Sequence, residues 1–133
     1  MSVLLDEYRT NWALRYLREA EADILTAEKN PLPSVSVRLA LTAMRKSQTA
    51  IYYSLGDPEY IAALVAQNIK DGKKTKDYLM NILLKMEQVI RRDSNLALNL
   101  NKNFLITEAH ELLRIAIEIV DLMIGNIEKI AHN

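Results

Sequence analysis

The chain holds two histidines, His110 and His132, and no cysteine. A helical histidine that binds a metal needs a second ligand three or four residues away, and Leu113 and Arg114 stand at those places after His110. His110 therefore reads as a surface or half-buried structural residue, and His132 sits next to the last residue of the sequence. The lack of cysteine excludes disulfides, thiolate metal sites and cysteine nucleophiles. Glu7, Glu19, Glu21, Glu28, Glu108, Glu111, Glu118, Asp121 and Glu128 fall mostly on polar helix faces, and none makes the Glu-x-x-His pattern of di-iron bundles. Asp23 differs, because its helical position lies beside Trp12 and Tyr16 at the edge of an apolar stripe. It is expected to be a partly buried acid paired with an arginine. There is no nucleophile elbow, serine triad or dinucleotide fingerprint. No catalytic residue, metal ligand or cofactor is expected.

Binding chemistry has more to work with. Lys73, Lys74 and Lys76 cluster at a helix junction, where free backbone N–H groups at a helix start add anion affinity. Arg91 and Arg92 form a second basic pair. These five are the candidate ligand-binding residues, for phosphate-bearing ligands, although the glycine and lysine spacing is not that of a P-loop. Tyr52, Tyr53 and the aromatics of the first helix are of a type that stacks on bases, though aromatics at this spacing also build cores.

The 133 residues suit one domain, residues 1–133, with a real hydrophobic core. Half are hydrophobic and 26% charged, the balance of a folded soluble chain. Lysine plus arginine equals aspartate plus glutamate at 17 each, so no global basic field draws nucleic acid or anionic membrane. Three glycines and three prolines argue against turn-rich β architecture. The start, MSVLLDEYR, lacks a basic n-region and a long apolar run, and no stretch approaches a membrane span. A cytoplasmic location is the default expectation.

The elements that must position these residues are helices. The first covers about Leu4–Lys29, with Leu5, Tyr8, Trp12 and Tyr16 on one edge and Ala13, Leu17, Ala20, Ile24 and Ala27 along the stripe. Pro31 and Pro33 stop it. The second runs to Leu55, capped by Ser34 or Ser36, with the small residues Ala40, Ala43, Ser47 and Ala50 inviting close approach. Arg38, Arg45 and Lys46 are expected to face outward. The short break makes the two an antiparallel hairpin. Gly56 is expected in a left-handed C′ position, with Asp57 and Pro58 as N-cap and N1 of a third helix that reaches Lys70. A fourth covers Thr75–Arg92 on the stripe Leu79, Ile82, Leu83, Met86, Val89 and Ile90. Leu96, Leu98 and Leu100 alternate like a strand, but no partner strand exists, so 93–104 reads as a loop or the irregular start of helix five, with Ser94 a cap for a longer version.

Helix five is secure from Ile106, and its apolar stripe includes Leu112, Ala116, Val120, Ile127 and Ile130. Ile115 and Leu122 flank the stripe on one side, Ile117 and Ile124 on the other. The apolar arc covers roughly 220°, against the ~100° of an ordinary surface helix. Such a helix requires either a central place in the bundle or a second copy laid over it. Ile115, Ile117, Leu122 and Ile124 are the residues a homodimer interface would cover.

The first two helices, Trp12…Tyr16-Leu17-x-x-Ala20-x-x-Asp23-Ile24-x-x-Ala27 and then the alanine-rich Arg38–Gly56 ending in Gly-Asp-Pro, resemble the HEPN superfamily (higher eukaryotes and prokaryotes nucleotide-binding) over about 45 residues. The resemblance implies an all-α, up-and-down bundle of about five helices, often dimeric, and an RNA- or nucleotide-related role beside a nucleotidyltransferase-type partner. Catalytic members carry an arginine followed four to six residues later by a histidine. Neither histidine here has such an arginine upstream, so the resemblance implies a non-catalytic member, not an enzyme. The expected function is a homodimeric module that binds a partner or a nucleotide-like ligand. The alternative is an RNA-binding or toxin–antitoxin-type component.

Overall fold

The computed structural model describes the backbone of residues 3–72 and 74–131, and side chains within 7–72, 74–97 and 99–125. Lys73 and His132 lie outside the described residues, as do the side chains of Leu5, Leu98, Ile127, Glu128 and Ile130. The elements are α1 (Val3–Lys29), α2 (Pro33–Leu55), α3 (Pro58–Asp71), α4 (Tyr78–Asn95), a short 3-10 turn (Ala97–Asn99) and α5 (Lys102–Ala131). The architecture is an all-helical bundle with no strand among the described residues. No helix among them is long and apolar enough to cross a membrane.

Helix ends follow local chemistry, and several differ from the expectations. Neither Ser34 nor Ser36 caps α2. Pro33, which has no N–H to satisfy, takes the N1 position, so both serines fall inside the first turn. Ser36 instead donates to the Ala27 carbonyl at 2.7 Å and pins the hairpin shut from within. Gly56 is extended (φ 163°), not left-handed, and its N–H bonds the Tyr52 carbonyl at 3.1 Å. The left-handed glycine is Gly72 (φ 64°), which closes α3 on the carbonyls of Asn68 and Ile69. Asp57 does cap α3, accepting from the Glu59 N–H at 3.0 Å.

The start of α4 is three residues later than Thr75, because Asp77 is the cap, accepting from the Met80 N–H at 2.9 Å. Thr75 turns the chain into that cap by accepting from the Asp77 N–H. At its other end α4 absorbs Asp93 and Ser94, so Ser94 caps nothing. Asn101 begins α5, accepting from the Asn103 N–H at 2.6 Å. The alternating leucines 96 and 100 thus flank one 3-10 turn.

The centre of the bundle is α2. It packs against α1, α3, α4 and α5, and α1 and α5 also pack on each other. The seam explains why: Ala40, Ala43, Ser47 and Ala50 are all fully buried, so two neighbours approach α2 closely. The large core side chains Ile24, Met44, Ile51, Ile90, Leu105 and Val65 fill the layers around that seam. The central berth considered for α5 is therefore taken by α2. Among the described residues α5 packs most extensively on α2 and then α1, and it meets α4 through the shared core and the Arg92–Glu108 ion pair.

Candidate functional site

The five basic candidates do not converge. Lys74 and Lys76 lie in the connection before α4, while Arg91 and Arg92 lie near its far end, roughly 20 Å away at the helical rise. Lys73 is outside the described residues. The N-terminus of α4, where an external anion would seat, is already occupied by the chain's own Asp77 carboxylate. Arg91 is engaged with Glu87 (Nε to Oε2, 2.7 Å), and Arg92 with Asp93 (3.0 Å) and Glu108 (2.5 Å).

What the fold does create is a groove between α4 and α5. One section, about 230 Å³, is walled by Ile82, Met86 and Val89 of α4 and Leu112 and Ile115 of α5, with Lys85, Glu108 and Glu111 on its rims. A second section, about 440 Å³, continues it through Ile82 and Lys85 to Asn81, Tyr78, Thr75 and Lys74. The groove has an apolar floor, a basic end (Lys74, Lys85) and an acidic end (Glu108, Glu111). It takes in one basic candidate, Lys74, and one interface candidate, Ile115.

The four interface candidates occupy two edges of α5. Ile115 and Leu122 are seven residues apart and share the edge toward the groove; Leu122 is 64% exposed. Ile117, 41% exposed, lies on the other edge with Ile124. Ile124 is half-buried against a small second core of Ala13, Ala50 and Val120.

At the acidic end Arg92 bridges two carboxylates. Asp93 is completely buried, and its Oδ2 finds no hydrogen-bond partner among the described residues. Burial pushes the Glu108 carboxyl above its ordinary range, and the Asp93 charge adds to this against the pull of Arg92. On the opposite side of α4, Glu87 is buried and receives three donors: Arg45 at 2.7 Å, Gln48 at 2.6 Å and Arg91 at 2.7 Å. Burial, the largest influence, pushes this carboxyl up, but the three hydrogen bonds and the arginine charges outweigh it and hold it low. Tyr52, buried beside this node, has its hydroxyl pushed up to about 12, by burial first and by the Glu87 charge second.

Sequence reasoning missed both acids, yet a signal was available. Glu87 is four residues after Leu83 and three before Ile90, and Asp93 three after Ile90, so both interrupt the apolar stripe. Asp23 is partly buried and paired as expected, but with a lysine: Lys46 Nζ lies 2.8 Å from it and 3.3 Å from Glu19. Hydrogen bonding to Asp23 raises the Lys46 ammonium, and that to Lys46 lowers Glu19. Lys46 therefore does not face freely outward, and Arg45 reaches across to α4.

A second surface lies on α1. Trp12 stacks on Tyr53 (ring centroids 6.2 Å), which stacks on Tyr16 (5.7 Å). Arg15 sits 5.0 Å over the Trp12 ring. Tyr8, Asn11, Trp12, Arg15 and Arg18 line an open cleft of about 350 Å³. His110 is exposed and its Nε2 lies 2.7 Å from Glu28, joining α5 to α1. No group of three or more metal-ligating side chains occurs among the described residues.

No protein-family model, curated protein or solved structure matches this chain at a significant level.

Proposed function

We propose that the chain is a non-catalytic, HEPN-like helical module that works as a homodimer, with the α4–α5 groove as the contact. The observation that carries this reading is the open apolar groove lined by Ile115, with Leu122 exposed further along the same edge of α5. α5 carries more apolar circumference than the bundle covers, with Leu122 64% and Ile117 41% exposed, and its face toward α4 is left partly open by the groove. A second copy suits the groove better than an unrelated helix because the groove complements itself. A two-fold axis across it lays Lys74 and Lys85 of one copy against Glu108 and Glu111 of the other. A nucleotidyltransferase-type protein is then the partner such a dimer would serve.

Light scattering coupled to size exclusion at tens of micromolar tests the reading. The expected mass is twice 15.2 kDa for the wild type and 15.2 kDa for Leu122→Glu and Ile115→Glu, with salt shifting the equilibrium toward monomer. A wild type that stays monomeric at every concentration removes it.

A second reading rests on the α1 cleft. An indole and a phenol ring beside Arg15 and Arg18 suit a nucleobase carrying phosphate. Titration with ATP and a short single-stranded RNA at low salt is expected to quench Trp12, and the affinity to fall steeply with salt. An unchanged fluorescence signal with both ligands would exclude it.

A further inference from the structure

Three acids break the polar–apolar order of the bundle, and two have clear structural partners. Asp23 has Lys46, and Glu87 has two arginines and a glutamine. Asp93 is the exception. Its only ion-pair partner among the described residues is Arg92, which binds one of its oxygens and is shared with Glu108. The other oxygen is sealed from solvent without a donor. A buried carboxylate oxygen left so is costly, and an ionised glutamate, which only accepts, cannot help it. A protonated glutamate can.

We propose that Asp93, Glu108 and Arg92 form a proton-operated latch between the end of α4 and the start of α5. With one proton on Glu108, that carboxyl donates to the Asp93 carboxylate, and Arg92 neutralises the single remaining negative charge. When the proton leaves to solvent, two carboxylates face each other across one guanidinium. The joint that closes the acidic end of the α4–α5 groove then loosens.

The surroundings fit this assignment. One guanidinium nitrogen, Arg92 Nη2, lies 3.0 Å from Asp93 Oδ1 and 2.5 Å from Glu108 Oε1, which brings the two carboxyls together, and burial, then the Asp93 charge, favour the protonated form of Glu108. The other charged groups along the groove are Lys85 from α4 and Glu111 from α5. Glu111 is held low by its hydrogen bond from Arg114. Two glutamates one helical turn apart thus titrate in opposite directions from their ordinary value of 4.5.

The sign follows from linkage. Glu108 is raised in the folded chain, so its contribution is complete below 4.5 and is lost as pH rises through its folded value. Glu108→Gln supplies a permanent donor and removes the proton from the equilibrium. The experiment follows the side-chain carboxyl carbons by NMR and the thermal midpoint between about pH 4 and 8. The latch requires Glu108 to titrate above 4.5 and Glu111 below it, Asp93→Asn to return Glu108 toward 4.5, and the midpoint of Glu108→Gln to gain on the wild type as pH rises. If Asp93→Asn does not fold, the glutamine variant decides alone. Glu108 titrating at or below 4.5, or a midpoint difference independent of pH, overturns the proposal.

Discussion

Glu87 is an acid set into the apolar stripe of α4, and its value lies in how completely it is matched. Three donors from two helices converge on two oxygens. Removing the carboxylate strands Gln48, which is buried, while Arg45 and Arg91 are each about half exposed and return to water. Glu87→Ala is therefore expected to cost about 2 kcal/mol in chemical denaturation, below the full penalty for an orphaned buried charge. Because Glu87 is held low, its contribution is present above 4.5 and fades as pH falls through its folded value. Glu87→Gln should flatten the acid limb of the stability profile, the reverse of what Glu108→Gln does on the alkaline side. Ser47 is the opposite kind of residue. Its hydroxyl is fully buried with no partner among the described residues. Ser47→Ala keeps the small volume and is expected to raise stability by up to about 1 kcal/mol, read from the same denaturation curves.

At the scale of elements, periodicity and punctuation made the five helices legible, and competition between neighbouring signals blurred their ends. Thr75 and Asp77 are both cap-forming types two residues apart; the carboxylate won, and the threonine became part of the turn before it. Gly56 and Gly72 both follow apolar runs, but only Gly72 is left-handed, while Gly56 leads in extended form into the Asp57 cap and Pro58. Asp77→Ala is expected to cost about 1 kcal/mol and to raise amide exchange in the first turn of α4. The seam of α2 was visible as small residues, but its consequence was not. Drawing α1 and α5 onto one helix leaves an open groove between α4 and α5, a tertiary outcome that no local pattern encodes. Ala43→Leu places three extra carbons where Ala43 has no exposed surface, and is expected to destabilise by about 1–3 kcal/mol in thermal or denaturant unfolding. The site was legible only in fragments: Lys74 and Ile115 were named for different reasons and share one groove. Asp93 and Glu87 went unnoticed, because buried acids within an apolar stripe are recognised by their partners, and two of those of Glu87, Arg45 and Gln48, lie 42 and 39 residues away in sequence.

For the whole molecule, the net charge of zero leaves recognition to local pattern. Lysines at one end of the groove and glutamates at the other give it a direction, which sets how a second copy would align. Exchanging the ends of this pattern tests alignment apart from apolar contact. Lys74→Glu combined with Lys85→Glu is expected to weaken self-association by at least about tenfold, and adding Glu111→Lys to recover part of it. Sedimentation across a dilution series reads both.

The pairing of α1 with α5 has one more consequence. Val120 meets Ala13, and His110 meets Glu28, so the opening and closing helices of the chain lie side by side. During synthesis the first four helices emerge with their shared apolar wall still bare, since Leu105, Ala109 and Ala116 have not yet been made. A nascent chain stalled before residue 102 therefore presents a sticky surface that chaperones would be expected to hold, and release from that state waits on translation of the final helix.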